Sequence, residues 1–231
     1  MKQIFSALVM LFISQISIAQ DFLTPLEALS GKTQTQVTTV DGKIIYGKFT
    51  SYTLEARGLG NFRIKDSATD EVVKFTPENV KTVRVKMDFS NRMETIEKTS
   101  MLKLLKSKSK SKEVSGREYI TFDQVTYPEK KDKILLLQLL NPDFSSKIQV
   151  YDHKVGGKSS TSILGIETEL NEAKSYIIVI NGVSSFVEKK KYKADYFDKI
   201  FASCPELMAM PENEVSFSDF AKHVSIFDKC K

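Results

Sequence analysis

Between residues 34 and 87, short apolar runs alternate with polar residues and are separated by polar turns. Phe62, Ile64, Val73 and Phe75 each sit between polar neighbours or at the end of such a run, the period of strands with one buried face. Asp41 and Gly42 divide the runs V-T-T-V and I-I-Y-G-K-F. Asp-Gly between β-branched runs is the strongest short-range hairpin signal, so a type I′ turn with positive φ at both central residues is expected there. Pro77 predicts a one-turn link into a last strand, V-R-V. These features predict a small, strongly bent antiparallel sheet over 34–87, a barrel of the SH3-like or Sm-like kind. Such barrels host many unrelated functions, so the fold does not fix the role.

The pattern changes on either side. Residues 22–31 can form a short amphipathic helix, with Pro25 in its first turn and Gly31 at its end. Residues 88–115 read as a basic linker or an edge strand, centred on M-L-K-L-L-K-S-K-S-K-S-K over 101–112. Strand periods return over 116–190, read as antiparallel hairpins. Tyr119, Ile120, Phe122, Val125 and Tyr127 precede Pro128 and the charged turn E-K-K-D-K, and 134–151 reads as a hairpin around Asn141-Pro142-Asp143. Asn181 and Gly182 mark a second I′ hairpin between 176–180 and 183–187. Over 191–231 the period becomes helical. Tyr192, Tyr196, Phe197, Ile200 and Phe201 form one face before Pro205, and Phe217, Phe220, Ala221, Val224 and Phe227 form another after a Ser216 cap. The predicted class is α+β: mainly antiparallel β, with a small barrel, a second hairpin-built sheet and a C-terminal helical pair.

Met1 and Lys2, the apolar run 4–13 and the small residues Ser17 and Ala19 match a cleaved signal peptide over 1–19. The competing reading is an anchor, but the run is interrupted by Ser14, Gln15 and Ser17 and is short for about 30 Å of hydrocarbon. The expected localisation is therefore exported: periplasmic, outer-surface or extracellular. The formal net charge of +5 suits solubility and weak attraction to anionic surfaces. The two cysteines, Cys204 and Cys230, fit an oxidising compartment. A bond between them closes a loop worth about 3–4 kcal/mol of chain entropy. Two free thiols, or a thiol nucleophile, are the alternatives.

Little in the chain can carry catalysis. There are 2 histidines, His153 and His223, far apart in sequence, which disfavours a histidine-rich metal site. The V-G-G-K-S-S-T stretch at 155–161 lacks phosphate-loop spacing, and Gly58 and Gly60 lack the strand-to-helix setting of a phosphate cradle. No hydrolase motif occurs. Neither a cofactor nor a metal site is expected, and Asp152, His153 and Glu206 are the least poor candidates for a cryptic hydrolase.

Several motifs carry a likeness. The signal ending S-I-A-Q, the opening V-T-T-V-D-G-K-I-I-Y-G-K-F, the segment K-F-T-P-E-N-V-K-T-V, and the terminal F-A-S-C-P-E-L, F-S-D-F-A-K-H-V and K-C stand in this order. Together they resemble a group of uncharacterised secreted proteins of Gram-negative bacteria. The resemblance implies a barrel-like N-terminal part and a paired-cysteine end, and it assigns no activity to any residue.

These readings favour a secreted or envelope-associated, non-enzymatic binding or structural module whose partner is a protein or a cell-surface polymer. The expected contact surface comprises Arg57, Lys103, Lys106, Lys108, Lys110 and Lys112. The alternatives are binding of an anionic polymer or nucleic acid through the barrel and the lysine run, with intracellular nucleic acid disfavoured by export, and a hydrolase with an unrecognised site.

Overall fold

Ten strands form two sheets in a computed structural model that describes residues 21–26, 29, 33–55, 58–87, 118–153 and 175–231. They are β1 (Gln34–Thr39), β2 (Ile44–Glu55), β3 (Gly58–Asp66), β4 (Val72–Phe75), β5 (Val80–Lys86), β6 (Tyr119–Tyr127), β7 (Lys130–Gln138), β8 (Gln149–His153), β9 (Ser175–Ile180) and β10 (Val183–Glu188). The first sheet runs β2-β1-β5-β6-β7-β3, and pairing of β2 with β3 closes it into a six-stranded antiparallel barrel. β4 hydrogen-bonds along β3 outside that ring. The second sheet has the order β10-β9-β8.

The alternation expected over 34–87 is the alternation observed. On β3, Leu59, Phe62 and Ile64 point inward while Asn61, Arg63 and Lys65 are exposed. Val37, Phe49, Phe75, Val83, Val85, Phe122 and Leu136 complete the filled interior, all at 4% exposure or less. Each such side chain contributes about 1.5–3 kcal/mol by leaving water. β2 turns the corner through two register shifts, at Phe49/Ser51 and at Tyr52/Leu54. Bulges of this kind bend a strand enough to close a narrow barrel.

The strands expected to build one second sheet over 116–190 divide between the two sheets. β6 pairs with β5 (Val83 opposite Phe122), and β7 pairs with β6 and with Gly58 and Leu59 of β3. The reason is geometric. The strands of 34–87 leave one edge of β5 and one edge of β3 unpaired, and a closed ring satisfies those backbone groups. Alternation reveals a strand's inner face, not its neighbour. The hairpin expected over 134–151 reduces to one bridge, Leu139 to Tyr151, beside the bond from Leu140 N to Val150 O.

Turn chemistry is borne out at one hairpin and corrected at the other. Asn181 (φ 50°) and Gly182 (φ 79°) are both left-handed between β9 and β10, as a I′ turn requires. Between β1 and β2 only Gly42 is left-handed, at φ 86°. The turn is centred on Val40 and Asp41, with Gly42 N bonded to Thr39 O and Thr39 N to Lys43 O. That is a longer loop ending in a glycine bulge, which spares Asp41 the positive φ that the two-residue turn would impose. Pro77 opens a single 3-10 turn, Pro77–Asn79, ahead of β5, with Asn79 Oδ1 accepting from Thr76 N.

The helix expected over 22–31 is absent from its described residues. The segment is instead held by long-range bonds that compete with helical ones. Leu23 N donates to Leu140 O, and Leu26 N to Oε1 of buried Gln138. Gln138 Nε2 donates to Thr24 O, and the Tyr52 hydroxyl exchanges bonds with Leu29 N and O.

At the C-terminus a π turn, Tyr192–Tyr196, continues into α1 (Phe197–Phe201). Pro205 starts α2 (Pro205–Met208), and a 3-10 turn capped by Ser216 Oγ on Ser218 N leads into α3 (Phe220–Lys229). These helices cover the three-stranded sheet through an aromatic core of Tyr192, Phe197, Phe201, Phe220 and Phe227. The expected helical pair is therefore present but broken into short turns. No helix among the described residues is long and apolar enough to cross a membrane.

Candidate binding surface

The outward positions of β2, β3 and β4 bring four cations together. Lys48 lies directly opposite Lys65 on the β2–β3 ladder, and Arg63 directly opposite Lys74 on β3–β4. All four are exposed, while Phe49, Phe62, Ile64 and Phe75, their inward neighbours, anchor the strands in the barrel core. Register here is held tightly. A Cβ on Gly47 would lie 2.3 Å from Lys65 O, so only glycine permits β2 and β3 to approach this closely. Among the described residues one ion pair touches the group, from Lys65 Nζ to Asp70 Oδ1 at 2.8 Å. Asp70 is left-handed (φ 64°) in the turn between β3 and β4, closed by Asp70 N to Asp66 O. The acidic residues Asp66, Asp70 and Glu71 of that turn bound the cations on one side.

A second polar constellation joins the sheets. Asp123 on β6 accepts from Thr82 Oγ1 at 3.1 Å and from the Tyr151 hydroxyl at 3.2 Å. Burial pushes the Asp123 carboxyl above its usual range, although both hydroxyls pull it down. Burial and the neighbouring Asp123 charge likewise raise the Tyr151 phenol. Tyr151 packs with Val125, Leu137, Leu139 and Ile177 between barrel and second sheet, so these groups tie the two sheets together. Buried Asn141 does similar work inside the C-terminal half. Its Nδ2 donates to Phe144 O and Ile148 O, and its Oδ1 accepts from Val150 N.

In the aromatic core, His223 Nδ1 lies 2.7 Å from the Tyr192 hydroxyl, and its buried Nε2 makes no hydrogen bond of normal geometry among the described residues. Burial lowers the His223 pKa, against the opposing pull of Asp219 and of the Glu214 carbonyl and with the help of Lys222. A base needs access to the proton it takes, and His223 is fully buried beneath Phe197 and Phe201. It is a packing histidine. Nearby, Phe22, Tyr176, Phe217 and Ser218 line an open depression of about 180 Å³. Its rings already pack on one another, Phe22 edge-to-face with Tyr176 at 5.2 Å and Tyr176 stacked on Phe217 at 5.5 Å. It is small beside the roughly 300 Å³ at which ligand pockets begin.

Cys204 and Cys230 stand at disulfide distance, with 5.7 Å between Cα atoms. Cys204 precedes α2 and Cys230 follows α3, the placement expected for a staple between helical segments. Lys147 reinforces it, with Nζ donating to Phe227 O at 3.0 Å and to Cys230 O, at the negative end of α3. Of the expected contact residues, Arg57, Lys103, Lys106, Lys108, Lys110 and Lys112 lie outside the described residues, as does the 155–161 loop. The hydrolase candidates fall on two elements: Asp152 and His153 are consecutive on β8, Asp152 opposite Tyr176 and His153 with its side chain outside the described set, while Glu206 is exposed in the first turn of α2. Among the described residues no group of three or more His, Cys, Asp or Glu side chains could hold a metal ion.

The cations of β2–β4 escaped the sequence reading. Each was legible as outward-facing from its apolar neighbours, but their mutual opposition depends on a register that alternation does not encode. No protein-family model, curated protein or solved structure matches this chain.

Proposed function

We propose that this protein is exported and works without catalysis, as a binding module for an envelope protein or surface polymer. One observation carries the reading: Lys48 opposite Lys65 and Arg63 opposite Lys74 on an exposed, rigidly backed sheet face. Like charges directly opposite on neighbouring strands destabilise a sheet. A fold that retains two such pairs carries a cost that binding would offset. The filled barrel interior supports the reading, because contact then falls to outer faces and loops. Export is supported by the signal-like N-terminus and by the cysteine pair at disulfide distance.

The test is cosedimentation of the purified, oxidised protein with the envelope fraction of a Gram-negative bacterium at moderate salt. Saturable retention is expected. A protein that stays wholly in the supernatant, while a known envelope binder pellets, would overturn the proposal.

A further inference from the structure

We infer that the outer face of β2, β3 and β4 binds an acidic polysaccharide, with Lys48, Arg63, Lys65 and Lys74 as its anion-binding residues. The inference rests on the binding-module reading and names the ligand class. Neighbouring strands are about 4.8 Å apart, and alternate residues along one strand about 7 Å apart. The two opposed pairs therefore form a small lattice of positive charge whose backbone cannot shift, since its reverse side is barrel core and Gly47 fixes the approach of β2 to β3. A linear polymer with an anionic group on every sugar, or every second one, can lay several charges across such a lattice.

The composition of the face chooses among polyanions. Three of the four cations are lysines, whose compact charges on flexible stems follow an irregular polymer. Beside them the exposed side presents Thr50, whose hydroxyl donates to Arg63 O and can still accept, the amide of Asn61, and the methyl groups of Val72. These suit sugar hydroxyls and ring edges. Single-stranded nucleic acid is held by successive aromatic rings on which bases stack. The face offers one ring, Tyr46, 49% exposed and two positions before Lys48. One ring at the rim can cover one sugar face and cannot stack a run of bases. The existing Lys65–Asp70 pair is no obstacle, because both partners are largely exposed and such a pair is weak.

The experiment titrates the full chain with polygalacturonate, a polymer of uronic acid, and in parallel with neutral dextran, polyphosphate and oligo-dT. Binding to polygalacturonate is expected, weakening linearly on a log–log plot against salt as counterions are released, with no binding to dextran. Replacing the four cations together (Lys48→Gln, Arg63→Gln, Lys65→Gln, Lys74→Gln) should weaken binding at least tenfold and flatten the salt slope. The pair Lys189→Gln with Lys190→Gln, exposed and on another element, should change it less than twofold. Should the fourfold variant fail to fold, Arg63→Gln and Lys74→Gln singly should each lower affinity about two- to fourfold. Unchanged affinity in the fourfold variant, or in both single variants, overturns the inference. Tighter binding of oligo-dT or polyphosphate than of polygalacturonate also overturns it. If the wild type cosediments with envelopes but ignores polygalacturonate, the ligand class falls and the binding module stands. If it does neither, both fall.

Discussion

The barrel and the C-terminal half solve the same stability problem by different means. The barrel core is aliphatic and phenylalanine-rich, and its strands close into a ring in which every neighbour is hydrogen-bonded. Its order comes from backbone pairing that has no free end. The C-terminal half has three strands and short, broken helices, so backbone pairing alone cannot hold it. It is held by packed rings and by individual side-chain ties: the cysteine pair, Lys147 at the end of α3, Asp228 accepting from Ser146 N and Oγ, and satisfied Asn141. A closed sheet spreads its stability over many equivalent bonds, while a stapled aromatic cluster concentrates it in a few. Single changes should accordingly be felt more sharply in the second region.

The largest separation of the two comes from the cysteines. Replacing Cys204 and Cys230 by alanine should cost the C-terminal half about 3 kcal/mol by lengthening its free loop in the unfolded chain. Denaturant melts with near-ultraviolet circular dichroism should show the aromatic signal lost at lower denaturant while the β signal of the barrel persists. Coincident loss of both signals would mean that the two halves unfold as one unit. Reduction of the wild type should reproduce the effect.

Within the barrel the sharpest single test is Gly47→Ala. A methyl placed 2.3 Å from Lys65 O forces β2 and β3 apart, with a cost of about 1–3 kcal/mol. Because the ring shares strain among six strands, the whole barrel should lose stability, seen as a uniform fall in amide-exchange protection over β1–β3 and β5–β7. A loss confined to β2 would contradict the ring as a cooperative unit.

The smallest effect concerns His223. Its pKa in the fold lies below the ordinary 6.5, so the neutral ring is favoured by folding. The unfolded chain then binds the extra proton as pH falls. The contribution is fully present above pH 6.5 and is lost as pH drops below that value, levelling off once the folded ring also protonates. Unfolding free energy measured just below pH 6.5 should therefore fall in the wild type and stay flatter in His223→Gln. Equal slopes would assign the dependence to other groups.

Strand faces, the I′ turn at Asn181 and Gly182 and the Ser216 cap were legible from sequence because each is a local property of a few adjacent residues, and the cysteine pair because the chain has only two cysteines. What escaped depends on partners distant in the chain. β6 and β7 read as ordinary strands, and nothing in Phe122 or Leu136 announces β5 or β3 as the neighbour. The segment at 22–26 has helical periodicity, yet tertiary bonds to Gln138 and Leu140 override a preference worth tenths of a kcal/mol per residue. The cationic face was invisible for the same reason: Lys48, Arg63, Lys65 and Lys74 are spread over three strands, whereas the lysines of 101–112 are crowded into twelve consecutive residues.

The Gln138 clamp has a consequence for the order of assembly. Leu26 and Thr24 are made early, yet the amide that receives them lies 112 and 114 positions further along the chain. Contacts of such long sequence separation form late, after the loop they enclose has paid its closure entropy. As the chain folds, the segment at 22–26 must therefore wait until the seventh strand is in place. The segment around Thr24 and Leu26 is thus among the last parts of the described fold to lock.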